Sequence, residues 1–416
     1  MLQSLLNAWR LPDLRKKLLF TALIIAIYRL GCFIPVPGVS VKSIESMFSS
    51  GGIFDFYNLF SGGGLQRVAV FAMGIMPYIT ASIIMQLLTM VVPRLEALMK
   101  EGESGQKKVN QYTRYFTVIL ALIEAIGFVF LFRSYGAFPP EAPLTALRFF
   151  LIVLTLTVGA ALVMWMGELI TQRGIGNGIS LMIFTSIVSR LPSGIQKLFT
   201  LNPGYWVLMA IISVVVVAAI IYVNEGQRRI PVQYAKRVVG RRVYGGQSTY
   251  LPLRINMAGV IPVIFASSVM LFPVTLAQMT PWEWAKKLSN AIGPGSWWYL
   301  VVEVILIVLF TYFYTAVQFN PIDQADNLKK YGGFVPGIRP GRPTAAYLDR
   351  VLTRITFPGA MFLAAIVLLP TALIRGINIP FYFGGTSLLI VVGVALDTMK
   401  QMESQLLMRH YEGFLK

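Results

Sequence analysis

A chain of 416 residues with 56% hydrophobic and only 13% charged residues is too apolar for a set of water-soluble domains. Its mean hydropathy of +0.67 places it among proteins that cross a membrane several times. The single cysteine, Cys32, and the single histidine, His410, exclude internal disulfides and His/Cys metal cages, and neither a metal nor a cofactor is expected.

The first element is a stretch with Leu2, Leu5, Leu6 and Trp9 beside Arg10, Arg15, Lys16 and Lys17, readable as a segment lying along a membrane surface or as a frayed terminus. Apolar runs of about 20 residues, the length a crossing helix needs, then predict ten spans. They fall at about 18–37, 73–92, 115–132, 149–170, 179–196, 206–223, 255–276, 299–319, 355–374 and 385–399. Arg29 and the following Pro35-Val36-Pro37-Gly38 do not suit a cleavage site, so the first run reads as an uncleaved span.

The net charge of +18 is unevenly distributed. Most of the 36 Lys and Arg lie in 1–17, 93–114, 171–178, 224–254, 320–354 and the tail from Lys400. The alternate connections hold only Lys42, Arg67, Arg133, Arg148, Lys197, Lys286, Lys287 and Arg375, with Arg29 and Arg190 inside spans. By the positive-inside rule both termini are expected in the cytoplasm.

The first external segment, Gly51 to Gly64, carries Ile53, Phe54, Phe56, Tyr57, Leu59 and Phe60 between glycine-rich hinges. It is too short to span, and reads as a re-entrant half-helix packed in a cavity or as an interfacial anchor. Gly74 to Met85 in the second span aligns without gaps to Gly259 to Met270 in the seventh, with Gly, Pro, Ile, Ala, Ser and Met coinciding. Matched Gly and Pro impose matched backbone geometry. Five spans separate the copies, so the second runs the opposite way through the bilayer, the mark of an inverted repeat whose path lies between the halves.

Among intramembrane carboxylates only Glu124 reads as deep; Glu168, Glu303 and Asp397 sit near span ends, where water or headgroups are in reach. A buried hydrogen bond to a neighbouring helix is the first reading of Glu124, a transport role the second. Arg173-Gly174-Ile175-Gly176-Asn177-Gly178-Ile179-Ser180 fits neither nucleotide-binding fingerprint and is better explained by close helix packing at a short turn. Two long basic loops remain. Residues 224–254 include Arg228, Arg229, Lys236, Arg237, Arg241 and Arg242; residues 320–354 include Lys329, Lys330, Arg339, Arg342, Arg350 and Arg354 around a Pro/Gly-rich stretch. They suit either anionic membrane lipid or, as ordered hairpins, phosphate-rich RNA or an acidic protein.

The chain also resembles a known family along essentially its whole length. The blocks that carry this are Gly74 to Ile79, Lys100 to Gly105, Arg173 to Ser180, Gly226 to Ile230, Asn256 to Pro262, Asp326 to Lys330, Phe334 to Gly341 and Pro380 to Ser387. In that order they resemble the bacterial SecY family, channel subunits of the Sec protein-translocation machinery. The resemblance implies an all-α polytopic fold of ten transmembrane helices in two inverted five-helix halves, 1–200 and 201–416, closing like a clamshell. It implies a non-enzymatic channel of the bacterial cytoplasmic (inner) membrane, passing unfolded secretory proteins across and apolar segments sideways into lipid.

By the same resemblance Ile75, Ile79, Ile179, Ile183, Ile264 and Ile390 form a pore ring, and the plug spans about 53–64. A lateral gate between the second and seventh spans includes Thr80, Gln86, Asn256 and Phe272. The loops become the docking site for the SecA motor and the translating ribosome with its rRNA, with Arg339 and Arg354 at sensitive positions. SecE and SecG are the implied membrane partners, and signal peptides and nascent chains the passengers. A secondary transporter of small solutes is the competing reading, opposed by the lack of a midplane carboxylate cluster.

Overall fold

The computed structural model describes residues 11–41, 44, 53–138, 143–199, 203–234, 237–239, 242–244, 248–280, 282–293, 296–377 and 385–413. Among these the elements begin with α1 (Pro12–Gly31), α2 (Ile53–Phe60), α3 (Met76–Val91), α4 (Pro93–Lys100), α5 (Glu103–Ser134), α6 (Ala146–Arg173), α7 (Gly178–Val188), α8 (Leu191–Phe199) and α9 (Pro203–Glu225). Four strands follow: β1 (Gln227–Tyr234), β2 (Arg237–Val239), β3 (Arg242–Tyr244) and β4 (Ser248–Arg254). Then come α10 (Ile261–Met279), α11 (Glu283–Ala291), α12 (Trp297–Gln318), α13 (Pro321–Lys330), β5 (Gly333–Phe334), α14 (Arg342–Ile377) and α15 (Gly385–Gly413).

The protein is a mostly helical, polytopic membrane protein. Among the described residues seven helical stretches are long and apolar enough to cross a bilayer, and α3 with α4, bent by 96°, makes an eighth if the pair is counted as one span. The bend has a local cause: Val92 precedes a proline, which pushes it to an extended conformation (φ −97°, ψ 110°), and Pro93 then opens α4 where its missing N–H costs nothing. Helices α1 and α15 occupy the expected first and tenth span positions. Arg15, Lys16, Lys17 and Arg29 in one, and Asp397 and Lys400 in the other, shorten their apolar runs. At 32 residues α5 is about 48 Å long, more than the roughly 30 Å of hydrocarbon, so it extends well beyond the membrane.

The chain divides into two compact units, one of 1–203, 267–300 and 394–416, the other of 204–266 and 301–393. In the first, α5 packs on α3, α4 and α6, while α6 also receives α1, α3 and α7, and α2 rests on α7. Leu14 of α1, Ile175 of the α6–α7 turn and Met402 of α15 form one cluster, which brings the start of α1, that turn and this part of α15 to one side.

In the second unit β1 lies between β4 and β5 in an antiparallel sheet, with Gln227 opposite Arg254 and Gln233 opposite both Ser248 and Phe334. A single core beneath it joins Ile230, Leu253, Phe319, Val335, Leu348, Val351 and Leu352. The two basic loops are therefore one folded module rather than two separate hairpins. The second loop also ends early: α14 starts at Arg342, so Arg350 and Arg354 are helical, because Leu348, Val351 and Leu352 extend an apolar face at helical spacing into the core.

Candidate conducting path, buried helix and basic module

The two copies of the sequence repeat begin their helices in the same way. Gly74 and Gly259 both take the left-handed region, at φ +57° and +63°, where a side chain would be strained. Helix α3 starts two residues after Gly74 and α10 two residues after Gly259, each with its proline, Pro77 or Pro262, at the second helical position. The N–H groups of Tyr78 and Ile79 donate to the Ile75 carbonyl at 3.1 Å, and those of Val263 and Ile264 donate to the Val260 carbonyl at 3.2 Å. Ile79 and Ile264 thus stand at equivalent first-turn positions, and both are buried.

Within the first unit, Ile75 and Ile179 come together around Gly167. A Cβ built on that glycine would lie 3.6 Å from both Ile75 Cδ1 and Ile179 Cγ1. Ile183 is buried one turn further along α7, while Ile179 is half-buried. In the second unit Gly393 packs against Val260, which sets the helix of Ile390 against the start of the helix of Ile264; both isoleucines are buried.

The glycine-rich turn before Ile179 is built for this close approach. A side chain at Gly178 would collide with the Gly167 carbonyl. Four of the amides that a phosphate cradle would present are already used: Gly178 N–H donates to Thr171 Oγ1 at 2.9 Å, Ile175 N–H to Thr21 Oγ1 at 3.2 Å, and those of Ile179 and Ser180 to Asn177 Oδ1 at 3.1 and 3.2 Å. The packing reading of this turn holds.

Residues 53–60 form a short helix whose Phe54, Tyr57 and Phe60 are buried and whose Leu59 is half-buried; the side chains of Ile53 and Phe56 lie outside the described residues. Burial on this scale excludes an interfacial anchor. Tyr57 donates to Glu124 Oε2 at 3.0 Å and sits edge-on to Phe128, with centroids 5.3 Å apart. At the other end Arg29 Nη1 donates to the Gly62 carbonyl and to Ser189 Oγ, both at 2.9 Å. Asn58 Oδ1 accepts from the Gln66 N–H at 3.2 Å, which folds the following turn back on the helix. Sequence reading assigned no task to Arg29, although a charge inside a span is a signal of one.

At the expected gate positions, Thr80 is buried and donates to the Met76 carbonyl of its own helix at 3.1 Å; Gln86 and Phe272 are half-buried. Asn256 is buried, and its amide nitrogen donates to Asn224 Oδ1 at 2.8 Å and to the Gly259 carbonyl at 3.0 Å. Its own Oδ1 is buried without a hydrogen bond among the described residues. Such an orphan acceptor costs roughly 1–3 kcal/mol.

Of the carboxylates, Glu124 makes the buried bond expected of it. Glu168 is ion-paired with Arg114 at 2.8 Å. Glu303, expected within reach of water, is only 4% exposed, six residues into α12. Among the described residues no group of three His, Cys, Asp or Glu could hold a metal.

On the basic module Arg228, Arg229, Arg339 and Arg354 are all exposed, as are Lys329 and Lys330. Arg339 lies in a tight turn whose carbonyl accepts from Thr344 Oγ1 at 2.8 Å. Arg237 and Arg242 fall on β2 and β3 with side chains outside the described residues; Lys236 and Arg241 lie wholly outside them.

Comparison with known proteins finds the SecY family model matching residues 69–399. The "Protein translocase subunit SecY" of Streptomyces scabiei is 50% identical over the full length of both chains. Among solved structures, "The structure of a protein conducting channel" matches with a TM-score of 0.64 at 20% identity, over 94% of this chain and 92% of the other. "Sec61 in the Canine ribosome-channel complex from the endoplasmic reticulum" matches with a TM-score of 0.59 at 20% identity over the same shares.

Proposed function

The chain belongs to the SecY family, the protein-conducting channel subunit of the Sec translocase, and on that premise we propose how its parts divide the work of moving unfolded proteins across the bacterial cytoplasmic membrane. It is a multi-pass, non-enzymatic channel. The observation that carries the division of labour is the pair of matched helix starts at Gly74 and Gly259, which sets one isoleucine of each half at the same first-turn position.

The six isoleucines Ile75, Ile79, Ile179, Ile183, Ile264 and Ile390 act as a dry collar. Branched apolar side chains admit an extended chain yet leave a closed constriction too narrow and too poorly wetted for ions. The placement of Ile75 and Ile179 on either side of Gly167's open position supports this. Residues 53–64 act as the plug, pinned at one end by Tyr57 on Glu124 and at the other by Arg29 on Gly62 and Ser189. Halves 1–200 and 201–416 hinge as a clamshell, opening a lateral gate at Thr80, Gln86, Asn256 and Phe272. The orphan carbonyl of Asn256 gives an arriving signal peptide an acceptor to satisfy, so the seam parts at little net cost. A polar nascent segment continues through the pore, while a sufficiently apolar one partitions into membrane lipid.

Energy comes from partners. The exposed arginines of the basic module dock the SecA motor or the translating ribosome, whose rRNA offers phosphates; the Sec61 relative in a ribosome complex supports the latter. SecE and SecG complete the membrane complex. Both termini face the cytoplasm, supported by the basic connections and by the cluster that brings Leu14 and Met402 to one side. Reconstitution with SecE, SecA, ATP and a signal-bearing precursor tests the whole scheme: protease-protected precursor inside the vesicles is expected, and none in a competent preparation would refute it.

A further inference from the structure

Helix α11 joins the end of α10 to the start of α12, while the other ends of those two helices join the basic module in the chain. Its Ala285 and Ser289, one turn apart, are buried, and Ser289 Oγ donates to the Val274 carbonyl of α10 at 3.1 Å. A second stripe is left uncovered. Trp284 is 64% exposed and Leu288, one turn on, 49%, while Trp282 stacks on Trp284 with centroids 5.7 Å apart and is itself 59% exposed.

The chain cannot carry this stripe far from the bilayer. Three residues, 280–282, separate α10 from α11 and reach at most about 10 Å. The nine residues of α11 measure roughly 14 Å, and the path ends at Trp297 and Trp298, each 72% exposed at the start of α12. From Trp298 the exposed surface runs without a break in the helix into Val301, Val302 and Ile305, an apolar face of a helix long and apolar enough to cross a membrane. Tryptophan, with an apolar ring and one N–H, is the side chain that concentrates at headgroup depth. Lys287, exposed between Trp284 and Leu288 in sequence, adds a cation suited to lipid phosphate.

We propose that α11 is an interfacial anchor lying in the outer leaflet, with Trp282, Trp284 and Leu288 in the lipid headgroup zone, and that Ser289 ties this anchor to α10. The external end of α10 is then held at a set depth by lipid, and bilayer composition acts on the helix through a covalent hinge and one hydrogen bond. This needs only that α10 and α12 cross the membrane, the orientation proposed above deciding which leaflet α11 lies in; it stands apart from the pore, plug and docking assignments.

The test uses the full complex in vesicles containing anionic phospholipid, on a Cys32→Ser background with a nitroxide on Leu288→Cys. Collisions with lipid-dissolved oxygen should exceed those with a water-soluble nickel chelate, at a ratio several-fold above that of a label on Tyr331→Cys, a site 79% exposed on the basic module. A ratio equal to the Tyr331 label overturns the proposal, and weak collision with both reagents overturns it in favour of a protein partner. Without any label, bromolipid quenching of tryptophan fluorescence should fall in Trp282→Phe/Trp284→Phe; unchanged quenching counts against the anchor. Ser289→Ala should raise the label's mobility at an unchanged collision ratio, and equal mobility would remove Ser289 as the tie.

Discussion

Tyr57→Phe removes one hydroxyl and leaves the ring able to keep its place beside Phe128, 5.3 Å away. Glu124, 4% exposed, then loses a donor that stands 3.0 Å from Oε2. A buried acceptor deprived of its partner costs about 1–3 kcal/mol. That cost falls on the seated state of the short helix, because a displaced helix has already given up the bond. The ratio of seated to displaced forms should therefore drop about 5- to 150-fold. Planar bilayers holding the assembled complex read this directly as the frequency of resting openings, which should rise by a factor in that range. Glu124→Gln retains an acceptor oxygen and should fall between wild type and Glu124→Leu. Since Tyr57 and Glu124 act as a pair, Tyr57→Phe should add little once Glu124→Leu is present. Openings at the wild-type frequency in an intact Tyr57→Phe complex, or full additivity in the double variant, would refute the reasoning.

Replacing Ile75, Ile79 and Ile264 together with Asn should wet the collar and raise resting ion conductance, and conductance at the wild-type level would remove these residues from the constriction. Reversing charge with Arg339→Glu and Arg354→Glu should lower SecA-driven precursor transport; both residues are exposed, so membrane insertion and assembly with SecE should stay intact, and unchanged transport would be the contrary result. On a Cys32→Ser background, Thr80→Cys with Phe272→Cys should form a disulfide across the closed gate, which requires Cα atoms within about 7 Å. Oxidation should stop both transport and sideways insertion and a reductant should restore them; efficient bonding with continued transport would place the gate elsewhere.

Much of this molecule is written in local patterns. Apolar runs mark the helices because the bilayer rewards about 20 such residues whatever lies beside them. The repeat was legible for a similar reason: Gly74 with Pro77 and Gly259 with Pro262 dictate backbone conformation at their own positions, and the observed φ values of +57° and +63° follow from that. The glycine-rich turn at 173–180 was read correctly because a lack of side chains itself signals close packing.

Other features depend on which distant residues meet. Arg29 could be recognised in sequence as a charge within a span, but its bonds to Gly62 and Ser189 join positions 33 and 160 residues away. The two basic loops could be counted for charge, yet nothing local announces that Ile230 and Leu253 share a core with Leu348 and Val351. Glu303 was expected to reach water, and its 4% exposure reflects packing against other parts of the protein, which its own position in the span does not announce. Composition and periodicity by themselves determined that this chain crosses a membrane many times and repeats one helix start, because hydration and backbone sterics act residue by residue. Tertiary structure alone decided how Tyr57 meets Glu124, how Ile75 and Ile179 come to flank Gly167 and how two loops become one module, because packing energy belongs to pairs far apart in the chain.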